Sequence, residues 1–252
     1  SRSVCAVLTM KTRKLNKIVD KIMSNNNNTN IIQPFTGLRP KTTLVEKVVA
    51  PPYDVLNRQE AKQLAAGNPY SILNITKPEI SLPDEIDAYD ERVYQQGQDN
   101  LATMIEQGCL QQDESACYYL YRLSCKSHTQ TGLVCIASVQ AYLDKKIKIH
   151  EYTRPDKELD RTNLTRALNG QMSPVCLTYR YHSGIEAMFE RCMMDIPEYQ
   201  LTTNDDITHQ FWKIDDAETM QALTDHFNAI GELYVADGHH RSATAVKIAL
   251  KS

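Results

Sequence analysis

A mixed α+β fold is what this sequence predicts, and three observations predict it. Two β-rich runs, residues 117–125 and 133–143, flank a polar turn; that hairpin signal excludes a purely parallel sheet. After Asp215, apolar residues recur at helical spacing, with Met220, Leu223 and Phe227 on one face. A short apolar run, 233–236, leads directly into a helical stretch, 239–250. The expected architecture is a mixed sheet containing the hairpin, with helices around it.

In chain order, residues 1–30 read as a basic, Asn-rich leader, expected to be disordered, and 31–40 as extended chain. Pro51 and Pro52 force an extended approach to Tyr53 and Asp54. Asn57 with Glu60 three residues on is a capping-box pattern, predicting a helix over 58–66 that stops at Gly67. Residues 70–76 read as a strand and 78–83 as a loop. The latter part of 84–107 is helical, with Val93, Leu101, Met104 and Ile105 as anchors and Gly108 as its stop. After the hairpin come a strand at 147–149, a polar helix over 156–168 ended by Asn169-Gly170, a strand at 174–181, a helix at 185–194 and a strand at 210–214. A helix over 215–229 follows.

Hydrophobic residues make up 42% and charged residues 23%, an ordinary globular balance that excludes wholesale disorder and a collagen-like or coiled-coil chain. The length suits one large domain, 31–252. The net charge of −3 is unevenly spread: residues 1–24 carry +5 and the remainder −8. So acidic a body argues against nucleic-acid binding, which draws its affinity from phosphate neutralisation. The longest apolar stretch, 132–139, is far short of the ~20 residues of a membrane span. Two readings of the leader stand: an organellar presequence, or non-structural chain with Met23 as the start. The seven cysteines form no CxxC pair, which points to reduced thiols in the cytoplasm and to cysteine as a core residue rather than a nucleophile.

Three segments carry chemistry. Ala236-Asp237-Gly238-His239-His240-Arg241 lies between the apolar strand and the last helix. Gly238 permits an unusual backbone turn. The residues after it form a first helical turn, whose free N–H groups favour an anion, and an arginine there can grip phosphate oxygens bidentately. His150-Glu151-Tyr152-Thr153-Arg154 follows a strand and offers imidazole, carboxylate and hydroxyl groups, a set suited to Mg²⁺ and phosphate. Lys157, Asp160 and Arg161 follow at helical spacing. Ala50-Pro51-Pro52-Tyr53-Asp54-Val55 is a rigid approach to a carboxylate, a place for a general base or for a simple turn. No P-loop, GxGxxG or GxSxG is present, so phosphate binding must rest on side chains and a helix N-terminus.

Together the segments QPFTGLRP…VVAPPYDVL, NPYSILNIT, GLVCIASVQAYL…IKIHEYTRPDKELDR, MSPVCLTY and ADGHHRSATA resemble the domain-of-unknown-function family numbered 1015, over roughly residues 31–248. The DGHHR element is also similar to that of free serine kinases with a ParB/sulfiredoxin-like fold. The resemblance implies such an element at the C-terminal end of the fold. It also implies a kinase that phosphorylates the hydroxyl of free L-serine, with inorganic pyrophosphate rather than a nucleotide as donor. By motif, Asp237 and Glu151 would hold Mg²⁺, and Gly238, His239, His240, Arg241, His150, Thr153 and Arg161 would bind phosphate. Asp54, Glu151 and His240 are the catalytic candidates; the base stays open between Asp54, favoured for substrate, and Glu151, favoured for metal or phosphate. Family members continue past the DGHHR helix, so 31–252 is expected to be a catalytic domain shortened at its C-terminus. The partners expected are serine and pyrophosphate or a nucleotide, with no membrane and no nucleic acid. Three other readings stand beside it: a ParB-like nucleotide- or DNA-binding regulator, a metal-dependent hydrolase using His150, Glu151, His239 and His240, and an inactive, truncated member of the family.

Overall fold

The computed structural model describes residues 3–6, 30–151 and 155–250, with the side chains of 3–6 and 155–158 left aside. Its strands are β1 Ser3–Ala6, β2 Ile32–Gln33, β3 Leu38–Pro40, β4 Leu110–Gln112, β5 Tyr118–Cys125, β6 His128–Val134, β7 Ile136–Ala137, β8 Ile147–Lys148, β9 Val175–Thr178, β10 Tyr199–Thr202, β11 Thr208–Ile214 and β12 Leu233–Asp237. Its helices are α1 Val45–Val48, α2 Arg58–Leu64, α3 Leu73–Thr76, α4 Glu91–Glu106, α5 Val139–Leu143, α6 Pro155–Leu168, α7 Ser183–Cys192, α8 Ala217–Ile230 and α9 His239–Ala249. The mixed α+β class is as the sequence predicts.

One four-stranded sheet has the order β10-β11-β5-β6 and is antiparallel throughout. The expected hairpin, β5–β6, forms one side of it with β6 at the edge, turning at Lys126-Ser127 between the paired Cys125 and His128. The other sheet has the order β1-β9-β12-β8, and in it β12 runs antiparallel to β9 but parallel to β8. Two ribbons, β2–β7 and β3–β4, complete the strands. Within the leader, Ser3–Ala6 pairs antiparallel with β9 as a sheet edge; the rest of the stretch expected to be disordered, residues 1–2 and 7–29, lies outside the described residues.

Both sheets share one core. Tyr118, Leu120 and Leu133 from one meet Val175, Leu177, Leu233 and Val235 from the other, with Ile185, Phe227 and Ala245 from the helices. A second cluster is helical, built from Val48, Ile75, Tyr94, Met104, Leu164 and Leu168. Helix α6 contributes Leu164 and Leu168 to that helical cluster while packing along α9, so it joins the two halves. Gly97 in α4 allows close packing: a Cβ there would lie 2.8 Å from Pro78 Cγ and 3.3 Å from Leu164 Cδ1. Cys109, Cys117 and Cys135 are buried free thiols, as core use of cysteine requires.

Helix ends follow side-chain chemistry. Asn57 and Glu60 form the predicted capping box of α2, with bonds of 2.9 and 2.8 Å. Asp216 caps α8 through Thr219 N at 2.8 Å, and Gly231 ends it at φ +71°. Two expectations fail for local reasons. Residues 70–76 form a turn and helix α3, not a strand. Asn68 Oδ1 accepts from Tyr70 N, and Asn74 Nδ2 donates to the carbonyls of Asn68 and Ser71; these bonds compete with a ladder. The second β-rich run does not reach 143, because Ser138 accepts from Ala141 N at 3.1 Å and starts α5. Short β4, β10 and α1 carried no sequence signal strong enough to be predicted.

The aromatic side of the antiparallel sheet is tied down by one phenol. Tyr119, fully buried, accepts from Gly37 N at 2.9 Å and donates to Asp113, which holds Arg39 through Nε and Nη2 at 2.7 Å each. Tyr119→Phe leaves the Gly37 N–H buried without a partner, so urea unfolding should show a loss of about 1–3 kcal/mol.

Candidate active site

The sequence segments that carry chemistry meet because β8 and β12 are parallel neighbours. Leu233 pairs with Ile147 and Tyr234 with Lys148, so both strands end on the same side of the sheet. His150 and Glu151 leave β8 there, and Asp237 to Arg241 leave β12 there, at the carboxyl ends where open sheets with crossover connections place their sites. The register of β12 against β9 shifts between Val235 and Asp237, a bulge of the kind that re-aims side chains beside active sites. Gly238 then takes φ +92°, and the chain turns at once into α9.

On one side of this turn lies a histidine pair. His239, 6% exposed, has its ring 4.4 Å from that of His150 and nearly perpendicular to it. Glu151 Oε2 lies 3.6 Å from His239 Nδ1. His239 Nε2 is buried with no hydrogen-bond partner among the described residues. Burial, reinforced by His150 and His240, pushes the His239 imidazole below its ordinary pKa against the opposing pull of Glu151 and Asp237.

On the other side lies a cleft of about 390 Å³ including its open mouth, lined by Tyr53, Thr76, Arg161, Gln171, Ser173, Arg241 and Thr244 among others. Arg241 donates to Asp237 Oδ2 at 2.6 Å and to the carbonyl of Pro174. Arg161, on α6, donates through Nε to Asp160 Oδ2 at 2.7 Å and lies with its Cζ 4.4 Å from the ring centre of Tyr53. Two cationic side chains, from helices that pack on each other, thus line one concavity. Ser173, two residues before β9, lines it with a left-handed φ of +72°, a conformation that costs free energy in a non-glycine residue and recurs at binding sites.

Of the residues singled out from the sequence, His150, Glu151, Asp237, Gly238, His239, His240 and Arg241 gather at this sheet end, and Arg161 joins Arg241 in the cleft. Asp54 is exposed, on the short 3-10 turn Tyr53–Val55 whose tyrosine lines the cleft. Thr153 lies outside the described residues, as does Arg154. Among the described residues, no three or more His, Cys, Asp or Glu side chains are arranged around one metal position. Sequence reasoning passed over Tyr53, Thr76, Gln171 and Ser173 as site residues. The segments APPYDV, NPYSILNIT and MSPVCLTY contain Tyr53, Thr76 and Ser173, but the contacts that make them site residues are long-range. No described helix is long and apolar enough to cross a membrane.

The fold and site define a mixed α+β protein with a paired-arginine cleft at the common end of two parallel strands. The chain belongs to the family described as protein of unknown function DUF1015, whose model matches residues 32–252. No curated protein and no solved structure matches it.

Two outcomes follow from the geometry. Gly238→Ala forces a Cβ into left-handed backbone, 3.2 Å from Arg241 Cζ, and should cost about 1–2 kcal/mol in urea unfolding. The second concerns pH. Folding holds His239 neutral, and His209, also depressed by burial, behaves alike. Above the unfolded value of about 6.5 both states are neutral and stability is complete. As pH falls from there through the depressed folded values, the unfolded chain binds more protons and stability is lost. The urea midpoint should therefore drop between pH 7 and pH 5, and His239→Gln with His209→Gln should flatten the drop.

Proposed function

We propose that this chain is a phosphotransferase that phosphorylates the hydroxyl of free L-serine with inorganic pyrophosphate as donor. The observation that carries the reading is the presence of Arg161 and Arg241 in one cleft at the start of α9. Phosphoryl transfer asks a protein mainly for positioning and charge neutralisation. Two guanidiniums, each with planar paired donors, suit phosphate oxygens, and the helix start adds N–H groups. The resemblance of the DGHHR element to that of free serine kinases supplies the substrate. The lack of a glycine-rich nucleotide loop and the modest cleft favour pyrophosphate over a nucleotide.

In this reading the serine Oγ attacks one phosphorus of pyrophosphate, the bridging P–O bond breaks, and inorganic phosphate leaves. The hydroxyl proton passes to a carboxylate. Asp54, exposed beside the cleft-lining Tyr53, takes that role. His239 is neutral near pH 7 and donates to phosphate without adding charge, and His240 and His150 flank it. Glu151 and Asp237 are exposed carboxylates near His239, Glu151 3.6 Å from its Nδ1 and Asp237 paired with Arg241. That donor set fits Mg²⁺, which takes one or two carboxylates with phosphate oxygens; when bound, the ion would neutralise charge on the phosphates. The hydrolase reading draws on the same His150, Glu151, His239 and His240. A DNA-binding role sits poorly with the −8 body. A cytoplasmic setting agrees with the unbridged thiols of Cys109, Cys117, Cys125, Cys135, Cys176 and Cys192.

Incubation with serine and pyrophosphate, ADP or ATP, read by phosphorus NMR for phosphoserine, tests the proposal. Phosphoserine should appear with pyrophosphate and Mg²⁺. It should be lost in His240→Ala and Arg241→Ala, whose circular dichroism stays unchanged. No phosphoserine from any donor would refute the kinase reading, and full activity in either variant would refute the site.

A further inference from the structure

The two cleft arginines are only partly committed to protein partners. A guanidinium has five N–H donors. Asp160 takes Arg161 through Nε at 2.7 Å and Nη2 at 2.5 Å, and the carbonyl of Thr76 lies 3.5 Å from Nη1. Arg241 directs one donor each to Asp237 and to the Pro174 carbonyl. Each therefore retains donors for something else in the cleft they share.

Tyr53 completes that wall. Its ring is covered by Arg161, and it lines the same cleft as Arg241. Burial raises its pKa, although the nearby guanidiniums of Arg161 and Arg241 oppose the rise; the phenol therefore keeps its proton at neutral pH and is a donor. Behind Arg161, Asp160 is anchored in turn: its Oδ1 accepts from the hydroxyl of Tyr94 at 3.1 Å. Tyr94 is buried, with its pKa pushed up to about 12 by burial and by Asp160, so it too is a fixed donor.

We propose that Tyr53 is a ligand-binding residue whose hydroxyl donates to a phosphoryl oxygen held between Arg161 and Arg241, and that Asp160, seated by Tyr94, is the positioning residue that aims Arg161. The inference rests on the phosphotransferase reading for its ligand, inorganic pyrophosphate, but concerns binding rather than transfer. Tyr53 keeps the aromatic face on which Arg161 lies and adds a neutral donor, so the anion meets three donor groups without a third buried charge. The adjacent Pro51 and Pro52 fix the approach of Tyr53, which limits the ordering cost on binding.

Titration calorimetry with inorganic pyrophosphate tests it without requiring turnover. Tyr53→Phe keeps the ring and its stacking, so its melting temperature should match the parent chain, while pyrophosphate affinity should fall about tenfold or more for the lost bond to a charged oxygen. Asp160→Asn should weaken binding similarly, and Asp160→Glu should recover part of it, which a loss of folding would not allow. Undiminished affinity in Tyr53→Phe overturns the inference, and so does a parent chain that binds neither pyrophosphate nor inorganic phosphate. Tight pyrophosphate binding that depends on Tyr53, without any phosphoserine, would support the cradle and refute the kinase reading alone.

Discussion

The two-residue parallel contact of β8 with β12 is the constraint on which the site depends. It is a small interaction, Leu233 against Ile147 and Tyr234 against Lys148, yet it sets the direction of two loops at once. Had β8 run antiparallel, His150 and Glu151 would leave at the opposite end of the sheet from Asp237 and Arg241. The contact is weak in isolation and is made firm by burial of Ile147, Leu233 and Val235 in the shared core of both sheets. Lys148 and Glu232 add an exposed ion pair across it at 2.7 Å, of little energetic weight. The site is thus held by the hydrophobic core beneath it rather than by its own polar groups.

The second condition is electrostatic. Arg161 and Arg241 are both mostly withdrawn from water, and an unpaired guanidinium there would be costly. Each is matched by a carboxylate close in its own sequence, Asp160 beside Arg161 and Asp237 one helical turn before Arg241. Pairing keeps the cleft close to neutral before a ligand arrives, so the protein tolerates two cations on one concavity. It also fixes their planes, which gives an incoming oxyanion oriented donors rather than mobile charges. In an acidic body, these oriented donors rather than net positive charge would attract a small anion.

Much of this was legible in the sequence where signals are local. Gly238 between an apolar run and a helical run marks a change of period from strand to helix, and the turn lies there. Asn57 with Glu60 names its helix start by chemistry alone. The failures are equally physical. Asn68 and Asn74 divert the backbone of 70–76 into a turn through bonds that hydrophobic pattern does not register. Strand β8 is too short to fix its partner or direction from composition. The stacking of Arg161 on Tyr53 joins segments far apart in the chain, so a proline-rich turn and a polar helix gave no sign that they build one wall.

The central claim, that the cleft at the shared end of β8 and β12 is an anion site, is tested most directly by a crystal structure of the protein with pyrophosphate and Mg²⁺. The account predicts the anion in hydrogen-bonding contact with the guanidiniums of Arg161 and Arg241. An anion seated on another face of the protein, with the cleft filled by water alone, would contradict it.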